Sequence, residues 1–575
     1  MSRKQNKPTR TKPAAAPPRT SGGLLAEPAT EQPPKNATVF LATLVSLGLL
    51  WLAFPPIGFS WLAWLALLPL LWIVRWKSLP GRRPYSQLYI AGLIYWLATF
   101  YFIPIPHPLL WIGWAMVSLY MAIYTPIFVG VSRTLIHRFN LPSVIVVPIA
   151  WTGIEWIRCN FVTGMAMVCL SHSQAKHPVL IQVADLFGAY TLTFAMMTFA
   201  AGMAVFTSVK QFSLRSGTGS SLASVPDDKT SVSARVAGLA LAILFVAAVL
   251  FYGQYRLDEP IVYSSESSVA VALIQSSNDV EFRPLSEDES MKQLVRKYEL
   301  TWEARKKWED LDLVVWPESG FNPYVDIISD YSKEGTVEAI ANVRTMVWKD
   351  AIGFPGFFKK PIAMLTGSGT SDPENGTYYG SALLIGEDGL VEKRYFKNHL
   401  VMFGEYVPFM KWFPGLKSLS PIGGGTEAGD KFMFVERNGV KIAPSICFET
   451  TIPHLIRRLV NTLAKQGNEP DVLVNLTNDG WFYGTSCLDL HLACNVFRAV
   501  EMRKPHLVCA NTGLSAEIDS CGRLIQTGPR RATTVIRADI RPITRTSLYR
   551  QWGDTIPMTF GVIAILAGLV GWFRK

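Results

Sequence analysis

The sequence lacks the two signatures that most often announce a cofactor. It has no cluster of His and Cys at metal-ligand spacing, and no glycine-rich loop ending in a phosphate-binding lysine. Neither a metal nor a nucleotide is implied, and no cofactor is expected. Cysteine is scarce: seven in 575 residues do not make a disulfide scaffold. Cys159 and Cys169 flank one loop between apolar runs, while Cys487, Cys494, Cys509 and Cys521 are scattered further on. An odd count leaves at least one thiol unpaired, and Cys447 is the candidate for it. Large apolar residues are nearly missing from residues 1–36, a stretch rich in Pro, Ala, Lys and Arg. Such a segment cannot bury a core and is expected to be a disordered cytoplasmic tail. A cleaved signal peptide is not expected either, because the apolar runs that follow keep coming instead of ending at a small-residue site.

Those runs dominate the rest of the N-terminal part. Seven candidate spans lie at about 38–54, 59–75, 87–105, 109–131, 142–158, 180–206 and 236–253, and an eighth at about 556–572. Several approach the roughly 17–25 residues needed to cross a bilayer's hydrocarbon. The net charge of +11 is spread over the tail and short loops rather than gathered as in a basic domain, which argues against nucleic acid as a partner. With the N-terminus in the cytoplasm, Arg75, Lys77, Arg82, Arg83, Arg133, Arg138, Lys210, Arg215, Lys229, Arg235, Arg574 and Lys575 all fall inside, and the loop around His107, which has no Lys or Arg, falls outside. The expected organisation is a tail (1–36), a seven-span bundle (37–253), a soluble domain outside the cytoplasm (254–555) and a C-terminal span (556–575).

In the soluble block, short apolar strands alternate with helix-like polar stretches. The strands are expected at 268–275, 313–316, 363–367, 381–385, 440–446, 472–475, 506–510 and 533–538, with helices at 287–310 and 489–504. Strands so uniformly apolar are covered on both faces, which points to a layered α/β domain. Ligand sites in such sheets gather at strand carboxyl ends. Glu318, Cys447, Asn478-Asp479-Gly480-Trp481 and Asn511-Thr512-Gly513 each follow a strand, as if four ends shared one crevice.

Taken in order, Trp316-Pro-Glu-Ser319, Tyr395-Phe-Lys-Asn398, Ser445-Ile-Cys-Phe-Glu449 and Asn478-Asp-Gly-Trp-Phe482 resemble the motifs of the nitrilase (carbon–nitrogen hydrolase) superfamily. With a membrane bundle beside them, the resemblance narrows to the bacterial apolipoprotein N-acyltransferase family. His399-Leu-Val-Met-Phe-Gly-Glu-Tyr-Val-Pro408 is similar to that family's lysine-plus-eight glutamate segment, and Leu52-Ala-Phe-Pro-Pro-Ile-Gly58 to its first membrane turn. The implied fold is an α-helical membrane bundle of about eight spans carrying an α-β-β-α sandwich.

The resemblance implies a Glu318, Lys397 and Cys447 triad. A thiolate attacks an acyl carbonyl, a carboxylate takes the thiol proton, and an ammonium stabilises the developing oxyanion. Glu405, Phe448 and Glu449 are implied around them, Glu405 to orient Lys397 or the incoming amine; Phe448 stands where the family often has tyrosine. Each residue alone has a plainer reading: a helix cap for Glu318, a solvated charge for Lys397, a turn cap for Glu449. Phe409, Trp412 and Phe413 fall in an apolar segment punctuated by Pro and Gly, expected as a lid touching lipid, with buried core loops as the alternative. The implied partners are a phospholipid acyl donor (phosphatidylethanolamine), diacylglyceryl apolipoproteins as acceptors, and membrane lipids. The implied place is the bacterial inner membrane, with the catalytic domain periplasmic and both termini cytoplasmic. A membrane-tethered amidase and a catalytically dead binding protein are the rival readings.

Overall fold

A computed structural model describes residues 37–207, 232–280, 283, 285–326, 362–372, 377–387, 391–407, 412–413, 415 and 425–573. The expected tail, and Phe409 of the expected lid, lie outside these residues.

The described residues of 37–207 form a series of helices from Ala37–Ala53 to Tyr190–Phe206, and further helices run over Val232–Asp258 and Thr555–Phe573. Among the described residues, three helices are long and apolar enough to cross a membrane: Leu110–His137, Arg235–Asp258 and Thr555–Phe573. A fourth candidate is a bent pair, Pro178–Phe187 and Tyr190–Phe206, whose axes meet at 114°. Length and composition therefore bear out three or four of the eight expected spans. The helices Ala37–Ala53 and Pro84–Thr99 have only 17 and 16 residues. The 59–75 segment breaks into a 3-10 turn, Ser60–Trp64, and a short helix, Leu68–Arg75. Helix Ser143–Asn160 carries Glu155 and Arg158 with buried side chains. The 180–206 segment is not one rod, because Gly188 turns the chain at φ 75°. A Cβ there would lie 3.0 Å from the Tyr549 ring and 3.4 Å from Glu501, so glycine allows both the turn and the close approach.

The segment between the last two long helices forms two stacked six-stranded sheets. The first sheet has the order β12-β1-β2-β3-β4-β5, with β1 Val269–Gln275, β2 Leu313–Asp326, β3 Ala363–Asp372, β4 Thr377–Ile385, β5 Val391–Phe396 and β12 Thr534–Ile540. The second has the order β11-β10-β9-β8-β7-β6, with β6 Val435–Arg437, β7 Val440–Ile446, β8 Val472–Thr477, β9 His506–Ala510, β10 Ala516–Ile518 and β11 Leu524–Thr527. The central pairs β1/β2, β2/β3, β7/β8 and β8/β9 run parallel.

Strand alternation makes the layers. Val269, Val271, Leu273, Leu313 and Val315 point inward and meet Ile442, Ile446, Val472, Val474 and Leu507 of the other sheet. The opposite face, Ala270, Ala272, Ile274, Val314 and Trp316, is covered by Leu294, Tyr298, Leu300 and Ala304 of helix Glu287–Lys307. That helix starts at a capping box: Ser286 Oγ accepts the Glu289 N–H (3.2 Å), and the Glu289 carboxylate accepts the Ser286 N–H (2.9 Å). On the far side, helix Pro453–Lys465 buries Leu455, Ile456, Leu459, Val460 and Leu463 along one stripe, four of them against Ala443 and Leu473. The result is the α-β-β-α sandwich that the resemblance implies.

Helix Cys487–Met502 faces two ways. Leu490, Cys494, Phe497 and Val500 share a core with Met167, Leu170, Ile181 and Val183 from the membrane half. The second sheet thus rests on the bundle through this helix, and the two halves are continuous in packing.

Candidate active site

Strand β7 is buried along nearly its whole length and ends at Ile446, so the chain must leave the sheet at Cys447. Cys447 takes a left-handed conformation, φ 50°, and opens a 3-10 turn to Thr451. For a residue with a Cβ this costs about 1–3 kcal/mol and persists only where surroundings hold it. They do so through its carbonyl oxygen, which accepts from Asn475 Nδ2 (3.2 Å) and Thr450 Oγ1 (3.3 Å) and lies 3.1 Å from His491 Nε2. Behind His491, its Nδ1 lies 3.1 Å from both oxygens of Asp479. Burial would lower the His491 pKa, but Asp479 and the Cys447 carbonyl raise it, favouring the imidazolium.

Glu318 lies inside β2 rather than just past its end. The register with β3 breaks between Trp316 and Phe321, and Ser319 is left-handed at φ 56°. This bulge throws the Glu318 side chain off the ladder. On β3, a Cβ at Gly367 would come within 2.5 Å of Glu318 Cα, so the bulge needs a glycine opposite it. Trp316 anchors the strand before the bulge, fully buried with Nε1 donating to Thr301 Oγ1 at 2.9 Å.

Lys397 follows β5 and is 1% exposed. Its Nζ donates to Glu405 Oε1 at 2.7 Å and to Glu318 Oε1 at 3.3 Å. The second oxygen of each carboxylate is also engaged: Glu318 Oε2 accepts from Asn478 N (3.1 Å) and Glu405 Oε2 from Val401 N (2.8 Å). Burial alone would lower the lysine pKa, but Glu318, Glu405 and Cys447 raise it well above its usual value, so the ammonium is retained. Burial and Glu318 push the Cys447 thiol well up, against the pull of Lys397. The resting sulfur is therefore a thiol, half-buried beside a carboxylate and a fixed cation.

The ends of β8 and β9 meet the Glu318 bulge, which lies inside β2 rather than at its end as expected. Asn511 Nδ2 donates to Asn478 Oδ1 at 2.9 Å, and Asn478 N reaches Glu318. Residues 46–202 match the model of the apolipoprotein N-acyltransferase N-terminal domain, and residues 270–550 that of the carbon–nitrogen hydrolases. Apolipoprotein N-acyltransferase of Rhodopirellula baltica is 29% identical over 569 residues, covering 90% of this chain and 94% of that protein. That of Geobacter metallireducens is 29% identical over 545 residues, covering 93% and 96%. The chain belongs to the apolipoprotein N-acyltransferase family. Among solved structures, the nitrilase-superfamily member Nit3 of Saccharomyces cerevisiae aligns at a TM-score of 0.36 and 18% identity, over 49% of this chain and 93% of that one.

For this apolipoprotein N-acyltransferase family member, the remaining expected residues fall in three places. Glu449 is fully buried, and its carboxylate accepts from Ile446 N (2.7 Å), Asn398 N (2.6 Å), His399 N (3.2 Å) and Tyr395 Oη (2.8 Å). Burial pushes it up to about 7 against those donors. It is a staple between the nucleophile's turn and the lysine's segment, and every donor it meets is protein. Phe448 is half-buried, stacked 6.0 Å from the His399 ring and packed on the core shared with the membrane half. The floor beside Cys447 is thus apolar and continuous with the bundle. Trp412 and Phe413 are 74% and 63% exposed, not the buried core loop that was the alternative for them.

Sequence reasoning missed Asn475, Thr450 and His491. A histidine amid Leu488, Leu490 and Leu492 reads as core, and its partner is a backbone carbonyl that only the fold delivers.

Proposed function

We propose that this protein transfers a fatty acyl chain from a phospholipid to the α-amine of a lipoprotein's diacylglyceryl-cysteine, by way of a thioester on Cys447. In the first half-reaction Glu318 takes the thiol proton as sulfur attacks the ester carbonyl. The oxyanion forms beside the Lys397 ammonium and the Phe448 backbone N–H. Its collapse breaks the C–O bond, and the departing lysophospholipid oxygen takes the proton from Glu318. In the second, the free amine attacks the thioester, Glu318 takes an amine proton, the C–S bond breaks, and sulfur recovers its proton. Lys397 keeps its charge throughout, with Glu405 fixing its position.

The observation that carries this reading is Lys397 Nζ held between two carboxylates at 2.7 and 3.3 Å, next to a cysteine presented on a left-handed turn above an apolar floor. That floor supports a lipid rather than a water-borne acyl donor. We read the donor headgroup as phosphatidylethanolamine and the place as the inner membrane. We read all eight apolar segments as membrane-embedded and the sandwich as periplasmic, with both termini inside.

Mass spectrometry of the Cys447 peptide after incubation with phosphatidylethanolamine tests the scheme. A fatty acyl thioester that disappears on adding a diacylated lipopeptide is the expected result. Wild-type enzyme that acylates the lipopeptide with no adduct ever trapped on Cys447, or a Cys447→Ala variant that retains activity, overturns it. Cleavage of simple amides with the lipopeptide left untouched selects the amidase reading instead.

A further inference from the structure

We propose that Cys159 and Cys169 form a disulfide that clamps the neck of the loop beneath the active site. All seven cysteines are reduced in the structure, yet these two sulfurs lie 3.5 Å apart, both buried, in a cluster with Ala166 and Tyr190. No other thiol pair among the described residues is in contact. Cys159 closes helix Ser143–Asn160, and Cys169 precedes the turn Leu170–Gln174, so a bond between them shuts the ends of the intervening loop.

That loop has reason to need closing. Val162, Gly164 and Val168 are all left-handed, at φ 61°, 76° and 62°, which strains the two valines. Its interior carbonyls are gathered by one side chain: Arg158 donates to Met165 O (2.8 Å), Met167 O (2.9 Å) and Val168 O (3.2 Å). Its tip meets the catalytic half. The Thr163 backbone lies close to the His399 imidazole, and a Cβ at Gly164 would touch Ile452 at 3.5 Å. His399 in turn stacks on Phe448, next to the nucleophile. A loop with free ends would let this support spread; one closed at its neck holds it.

The inference rests on the reading that this face lies in an oxidising compartment. The chemistry is thiol–disulfide exchange. The oxidised disulfide of an exchange protein breaks, one S–S bond forms between Cys159 and Cys169, and two electrons and two protons pass to the partner's sulfurs. Exchange takes place before Ile452 and His399 close over the loop.

Trypsin makes the test direct, because Arg158 and Lys176 bracket both cysteines with no Lys or Arg between them. Full-length protein in acid-quenched membranes is alkylated with N-ethylmaleimide under denaturation and digested without reductant. The expected Cys159–Lys176 peptide carries no maleimide and is two hydrogens lighter than the dithiol. In parallel, Glu266→Cys, at a 99% exposed position on the sandwich, is challenged in intact cells with a membrane-impermeant maleimide. Two alkylated thiols together with a labelled Cys at 266 overturn the disulfide while the orientation stands. Two alkylated thiols with an unlabelled position 266 overturn both. As a second readout, reductant lowers the thermal midpoint of the detergent-solubilised wild type by several degrees and leaves the Cys159→Ala/Cys169→Ala double variant unmoved. An equal response of the two also overturns the proposal.

Discussion

Of two clusters of buried charge compared among the described residues, only one has the makings of an active site. In the first, Lys397 is held by Glu318 and Glu405, whose side chains keep 18% of their surface open. In the second, Arg498 pairs with Glu501 (2.8 Å), and Arg503 bonds Asp185 (3.0 Å) and Gln182 (2.6 Å), with the arginines and Glu501 wholly enclosed. Asp185 and Gln182 come from the bent membrane hairpin, and Glu501 accepts from Ala189 N at 2.9 Å. Buried ionisable groups alone therefore do not mark catalysis. The first cluster adds a nucleophile, a partly open carboxylate and an apolar floor. The second joins the two halves, through Arg503 to Asp185 and Gln182 and through Glu501 to the Ala189 amide.

Substitutions can break this contrast. Lys397→Met should have the largest effect on turnover, lowering kcat about 10²- to 10³-fold through loss of an oxyanion donor while folded yield is kept; acylation of a fluorescent lipopeptide measures it. Lys397→Arg should not restore the rate, since a planar fork cannot replace a point cation between two carboxylates. Arg503→Met should do the reverse. It removes one of the two arginines paired with Asp185, leaving Arg256 Nε at 2.9 Å, so it lowers the thermal midpoint and leaves turnover per folded molecule unchanged. A loss of kcat without a stability change in that variant would erase the distinction.

Smaller effects sharpen it. His491→Asn removes one support of the Cys447 carbonyl and the charge next to it, so kcat should fall about 10- to 100-fold with KM nearly constant. Weakest is a pH effect from His506, whose ring nitrogens meet no partner among the described residues. Burial pushes its pKa down to about 3, with Arg498 and His491 adding to the shift. The unfolded imidazole binds a proton near pH 6.5 and the folded one does not, so stability is lost as pH falls below 6.5, by at most about 1.4 kcal/mol per unit. Replacing His506 with Leu should flatten the acid limb of the thermal-midpoint profile.

Much of this was legible in the residues, for a physical reason. Runs such as Val269–Ile274 and Val472–Val474 are apolar at every position because both faces of their sheets are covered, and the polar residues after them fall at or near strand ends. The two helices and eight strands expected in the soluble block stand where the pattern puts them to within a few residues at most borders, but helix Pro453–Lys465 is not among them. The short strands β6, β10 and β11 have only three or four residues and escape the pattern, as does β5, where polar side chains interrupt the apolar run. Hydropathy also adds magnitudes without direction, so the 114° turn at Gly188 was invisible in a long apolar segment. The bulge at Glu318 and the carbonyl support from Asn475 and His491 depend on residues far apart in the chain, and no local pattern encodes them.

The bend at Gly188 has one more consequence. Because the hairpin inserts its corner into the sandwich, the catalytic half is not a separable module. A fragment beginning near Val269 would present Arg503 and Glu501 to a void where Asp185 and the Ala189 amide had been. Excising the enzyme from its membrane would therefore cost it a wall, and the lipid-embedded portion is as much a folding partner as an anchor.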